Sequence, residues 1–215
     1  MGFTSINGII YTASSEDECF VGTDDNSKNS NAIDGEISSY LRFEEIVSID
    51  NKPHLVTAIG GSAFRGCGLF RTVRIHRYIK RIKYRAFDLC SGCNKIIFDK
   101  ESNLEAIEES GFYFNRFSYL VLPKSIKEFG FACFGGNQNL KSITYFGVTN
   151  PSSTIDVFYS GPKSLNIYVG FDYPYETFHS IQVTKISNIK DRVCTNNRTR
   201  KTNNFIFVFM IILVS

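Results

Sequence analysis

Cys90-Ser-Gly-Cys93 holds the two side chains of this chain best spaced for chemistry. A CxxC pair can cycle between dithiol and disulfide, or supply half of a tetrahedral zinc site. Zinc needs a second close pair, and Cys19, Cys67, Cys133 and Cys194 are singletons. His54, His76 and His179 stand far apart, with no other His or Cys at ligand spacing. No Walker loop, dinucleotide fingerprint or nucleophile elbow occurs. Gly60-Gly61 reads as a turn and not as a phosphate cradle. The residues nominate no catalytic, metal or cofactor site, and the chain reads as a non-enzyme.

Charge is the second concentration of chemistry. Arg71, Arg74, Arg77, Lys80, Arg81, Lys83 and Arg85 run together with His76 and no acid between them. Such a run can hold an anionic polymer, a sulfated glycan above all. Residues 1–50 carry ten acids and two bases, and with a net charge of +3 the rest of the chain holds +11. A basic body facing an acidic cap accounts for that split without nucleic acid, which is not expected as a partner.

The elements that must position these groups are legible in the composition. The chain has 215 residues, enough for one well-buried domain. It contains 10 Leu against 24 Ile and 20 Phe, and no Trp. Flat β-branched and aromatic side chains suit pleated surfaces, so a helical bundle is excluded. Six cysteines are too sparse for a disulfide scaffold. The N-terminus has no basic segment followed by an apolar run, so no secretory signal is read there. That places the thiols in a reducing, cytoplasmic setting. The C-terminus points the other way: Phe205 to Val214 is an unbroken apolar run behind Arg198, Arg200 and Lys201. It reads as half a membrane segment with its basic flank, or as the tail of a lipid-anchor signal, and gives a route to membrane association.

A repeat organises the middle of the chain. Val56–Cys67, Ile79–Cys90, Leu104–Asn115 and Ile126–Asn137 are four blocks of one pattern. Each has an aliphatic first position, an apolar fourth, a small eighth, Phe at the ninth (Phe64, Phe87, Phe112, Phe134) and Cys or Asn at the twelfth (Cys67, Cys90, Asn115, Asn137). After each block comes apolar-x-x-apolar-x-apolar, whose closing alternation is strand-like. Its central residues, Val73, Ile96, Leu120 and Ile143, are 23, 24 and 23 residues apart, and another 24 reaches Ile167 in a closing strand. Such a period belongs to leucine-rich repeats.

These blocks resemble the BspA-like leucine-rich repeats, whose units carry the same Ala-Phe-x-x-Cys element. The resemblance covers about residues 50–170, with Asn115 and Asn137 in place of Cys and Gly111 and Cys133 in place of Ala. It implies a surface antigen of the kind found on bacteria and parasitic protists, an adhesin that contacts host-cell or matrix proteins, at the cell surface. An intracellular scaffold built from the same repeats is the alternative.

The expected fold is a β-rich solenoid of short parallel strands and short helical turns. Residues 1–50 form a β-rich N-terminal cap, 51–170 the solenoid, and 171–186 a C-terminal cap. Residues 187–204 are a polar basic linker carrying the acceptor pattern Asn197-Arg198-Thr199, and 205–215 an apolar tail. Stacking should build a Phe spine inside the coil and point the Cys/Asn corner inward, where Asn can bond turn backbone. The CxxC pair dissolves into that register, since Cys90 is a twelfth position and Cys93 a strand-leading apolar one. Lys80 and Lys83 should face Glu105 and Glu108 one rung away, so the basic run reads as a partly paired, solvated surface. The outward side of the sheet is the expected protein-binding face, carried by Arg74, His76, Lys95, Ile97, Tyr119, Val121, Thr144 and Phe146.

Overall fold

The computed structural model describes residues 2–23, 31–153 and 156–187. The linker beyond residue 187, Asn197 and the apolar tail fall outside them. Within the described residues the chain forms seventeen strands and no helix. The first five are β1 (Phe3–Ile6), β2 (Ile9–Ala13), β3 (Glu18–Val21), β4 (Tyr40–Arg42) and β5 (Ile46–Ile49). Then follow β6 (Lys52–Ile59), β7 (Thr72–Ile75), β8 (Arg81–Ile82), β9 (Lys95–Phe98), β10 (Ala106–Ile107) and β11 (Tyr119–Leu122). The chain continues through β12 (Glu128–Phe129), β13 (Ser142–Tyr145), β14 (Ser152–Ser153), β15 (Asn166–Gly170), β16 (Thr177–Phe178) and β17 (Ile181–Ile186).

Each repeat contributes one strand to each of two walls. One wall runs β3-β6-β8-β10-β12-β14 in parallel, with the antiparallel β1 and β2 added at its N-terminal end. The other comprises β4-β7-β9 and β11-β13-β15-β17, also parallel. The register there matches the sequence period: Val73 sits opposite Ile96, Leu120 opposite Ile143, and Ile143 opposite Ile167. Two features depart from expectation. The second wall divides between β9 and β11, which are bridged by the Arg116 N–H on the Cys93 carbonyl at 2.9 Å. The stretch after Gly170 also extends the ladder, because β17 lies parallel to β15 with Val183 opposite Ile167.

Turn ribbons replace the expected helical turns. Their seventh positions (Ser62, Arg85, Ser110, Ala132) have φ between 52° and 57°, and their eleventh (Gly66, Leu89, Phe114, Gly136) between 53° and 73°. Two left-handed residues per coil interrupt any helix. Gly60 and Gly61, expected to make the first turn, are not among the left-handed residues; Ser62 and Gly66 are. The reward is complete backbone pairing. Ser62, Phe64 and Gly66 donate to the Tyr84, Ala86 and Asp88 carbonyls of the next coil. The alternate amides of Ala63, Arg65 and Cys67 fold back onto Gly60, Ser62 and Phe64.

Inside the coil the Phe spine forms as expected. Rings of Phe64, Phe87, Phe112 and Phe134 stack at 5.2, 5.0 and 6.0 Å with planes within 5° of parallel. Phe158 extends it at 6.4 Å, and Phe43 closes its N-terminal end at 5.7 Å. At the corner the twelfth side chains bond backward to the preceding coil. Cys90 Sγ meets the Phe64 carbonyl at 3.1 Å, Asn115 Nδ2 the Phe87 carbonyl at 2.8 Å and Asn137 Nδ2 the Phe112 carbonyl at 2.9 Å. Cys and Asn share the position because both donate, and the carbonyl there is buried.

Candidate recognition face

The register of the second wall sets outward side chains into two rows. One reads Tyr40, Thr72, Lys95 and, across the divide, Tyr119, Ser142, Asn166. The other reads Arg42, Arg74, Ile97 and then Val121, Thr144, Tyr168, Thr184. Arg74 is exposed, while Lys95, Ile97, Tyr119, Val121 and Phe146 are half-buried. Arg74 is fixed by a bidentate pair with Asp99, at 2.7 and 3.2 Å.

Two residues expected on this face are not available on it. His76 is 4% exposed and Thr144 is 1% exposed. Thr144 is the short member of its row, flanked in register by Val121 and Tyr168. His76 lies past the end of β7, against the Phe43–Glu45 segment. Burial pushes its imidazole below the ordinary range, a shift that Glu45 and Asp99 oppose. Tyr168, on the closing strand, adds an aromatic side chain to the same row.

The basic run is largely neutralised. Arg77 approaches Glu45 at 3.8 Å, Lys80 bonds Glu18 at 2.7 Å, Arg81 bonds Glu108 at 3.1 Å and Arg85 reaches Asp88 at 3.7 Å. Cross-rung pairing was expected and occurs, but with shifted partners. Lys80 takes Glu18 from the N-terminal segment, which frees Glu105 to bond Lys127 at 2.7 Å. Acids and bases thus alternate along the first wall. Glu105 is held below its usual range by Lys127, and Lys80 above its own by Glu18.

The CxxC thiols are structural in this setting. Cys90 and Cys93 are fully buried and unbridged. Burial pushes Cys93 up to about 12 and Cys90 higher still. Neither forms thiolate near neutral pH, so nucleophilic and redox work is suppressed. Among the described residues no three His, Cys, Asp or Glu side chains gather as metal ligands.

A second apolar surface was not anticipated. Leu69, Leu89, Phe114 and Tyr159 are 65%, 44%, 48% and 49% exposed. Leu89 and Phe114 are eleventh positions, turned outward by their left-handed backbone. The eleventh positions read Gly66, Leu89, Phe114 and Gly136, and no apolar pattern among them announces the outward turn. Phe114 and Tyr113 lie over Gly136 and Gly135 of the next coil, where a Cβ would meet their rings.

Comparisons with known proteins agree with this architecture. The model of the BspA type leucine rich repeat region matches residues 42–166 in six copies. A leucine-rich repeat protein from Bacteroides capillosus superposes with a TM-score of 0.53 and 16% identity, covering 67% of this chain and 99% of its own. The pneumococcal vaccine antigen PcpA superposes with a TM-score of 0.58 and 20% identity over 80% of this chain, which spans 50% of the PcpA chain. No curated protein matches the chain at a significant level. With the family pattern covering more than half the sequence, and with one Phe, one Cys/Asn corner and one parallel strand in each wall per coil, this chain belongs to the BspA-type leucine-rich-repeat family.

Proposed function

We propose that the chain is a surface antigen that adheres to host-cell or matrix proteins through the outward side of its second wall. The observation that carries this reading is a belt of half-exposed Ile97, Tyr119, Val121 and Phe146, beside Arg74 and Lys95. Apolar and aromatic side chains ringed by charge are what protein-binding surfaces use. Parallel register holds Ile97 on β9 and Tyr119 and Val121 on β11 rigid within their own sheets, so little ordering entropy is lost on binding. The likeness to a vaccine antigen adds weight to display at the surface. Binding of a glycosaminoglycan through the basic run is the weaker reading, since most of that run is already paired with carboxylates.

One observation favours an intracellular scaffold instead: Cys19, Cys67, Cys90, Cys93 and Cys133 are all free thiols, as in reducing compartments. An antibody to the folded chain separates the two. Labelling of intact cells supports the adhesin, and labelling only after permeabilisation overturns it. On a panel of immobilised extracellular-matrix proteins, Ile97→Asp with Val121→Asp should weaken capture at least about tenfold, the equivalent of ~1.4 kcal/mol.

A further inference from the structure

The N-terminal end of the second wall is unfinished. β4 is its terminal strand, and among the described residues nothing pairs with the edge facing away from β7. The Ser39 carbonyl accepts the Arg71 and Thr72 amides of the next coil. Alternation along a strand therefore turns the backbone groups of Tyr40 and Arg42 toward the open edge. There the Tyr40 N–H bonds Ser38 Oγ at 3.1 Å, and the Tyr40 carbonyl and Arg42 face outward without a strand partner among the described residues. Free edges of this kind are templates for pairing, and native proteins usually cover or blunt them.

This edge opens into a groove of about 510 Å³. Its floor is apolar, formed by Ile6, Ile9, Tyr11, Ile37 and Leu41. Its far wall is the β1–β2 turn, where Asn7 and Gly8 have φ of 52° and 74°. Gly8 is held there by contact, since a Cβ would meet the Glu36 carbonyl oxygen at 2.5 Å. The rim carries Glu36 and Glu44, for which no cation partner is found among the described residues; Glu44 has only a long 3.5 Å bond from Asn7. Arg42 and Glu44 also border a second hollow of about 370 Å³.

From these features we infer that the groove along residues 36–46 binds an extended basic peptide segment, added as a strand to the free edge of β4. The peptide backbone pairs with the Tyr40 carbonyl and with Arg42, an apolar side chain covers Leu41 and Ile37, and a Lys or Arg side chain lies between Glu36 and Glu44. Strand addition of this type takes its affinity from backbone pairing and its specificity from alternate side chains. The site is separate from the outward belt, and it stands or falls independently of the adhesin reading.

Fluorescence polarisation of the full chain with short synthetic peptides tests it. A labelled peptide alternating Lys and Val should bind saturably below about 1 mM, while one alternating Glu and Val should not. Glu36→Lys with Glu44→Lys should weaken the Lys–Val peptide at least tenfold. Methylating the Val amides should do the same, which a purely electrostatic attraction would not show. Absence of binding by the Lys–Val peptide, equal binding of the two peptides, or indifference to either change overturns the inference.

Discussion

Replacing Asn137 by Ala removes the most heavily bonded corner of the solenoid. The side chain is fully buried. Its Nδ2 donates to the carbonyls of Phe112 and Phe134 at 2.9 Å and of Gly135 at 3.1 Å, and its Oδ1 accepts the Asn115 N–H at 3.1 Å. Two of those partners, the Phe112 carbonyl and the Asn115 amide, belong to the preceding coil. A buried group left unpaired costs about 1–3 kcal/mol, so Asn137→Ala should destabilise by about 2–6 kcal/mol. That is a large fraction of the ~5–15 kcal/mol that holds a domain together. Asn137→Cys should lose about half as much, because Cys90 already makes one backward bond at the same corner, 3.1 Å to the Phe64 carbonyl. Asn139→Ala, exposed two residues away, should change stability by less than ~0.5 kcal/mol. Urea denaturation followed by circular dichroism reads all three, with an unchanged slope confirming that stability alone has moved. An Asn137→Ala loss below ~1 kcal/mol, or a Cys variant no better than Ala, would refute the corner-bond reasoning.

Leu89 has a φ of 60° and is 44% exposed. Left-handed backbone costs an L-residue about 1–2 kcal/mol, so Leu89→Gly should leave the melting temperature level or raise it, and a fall worth more than ~1 kcal/mol contradicts the ribbon geometry. His179 packs between Phe129 and Phe178 at 5.3 and 4.8 Å, and burial pushes it down to about 4 from 6.5. The unfolded chain therefore binds the extra proton first. Its contribution is present above pH 6.5 and lost as pH falls toward 4. His179→Asn, which keeps the left-handed turn, should flatten denaturation midpoints over that window, and an unaltered slope would count against it. In a Cys194→Ser background, the five buried thiols should resist Ellman's reagent until urea unfolds the chain; fast labelling in native buffer would show that the thiol corner is open.

Much of this fold is written locally. The twelve-residue blocks and the period of 23 or 24 residues place one Phe, one Cys/Asn and one strand centre per coil. Because a solenoid contacts only its neighbours, equivalence in sequence becomes adjacency in space. The Phe spine, the corner bonds and the structural role of Cys90 and Cys93 all follow from that. Other features are not local. Lys80 chose Glu18, 62 residues away, because the N-terminal segment supplies β3 to the same wall. Leu89 and Phe114 turned outward through backbone conformations that no apolar pattern announces.

The candidate face shows the same division. Periodicity alone assigned Arg74, Lys95, Ile97, Tyr119, Val121 and Phe146 to the outer side, because side chains alternate along a strand. It did not show that Thr144, between Val121 and Tyr168, would be buried, nor that His76 would lie buried against the Phe43–Glu45 segment. The sequence by itself determined which coil each residue occupies and which way each strand residue faces, since both depend on spacing. Only the tertiary structure decided what stands over each side chain, because cover comes from neighbouring coils and the N-terminal segment, whose side-chain lengths and path no repeat encodes.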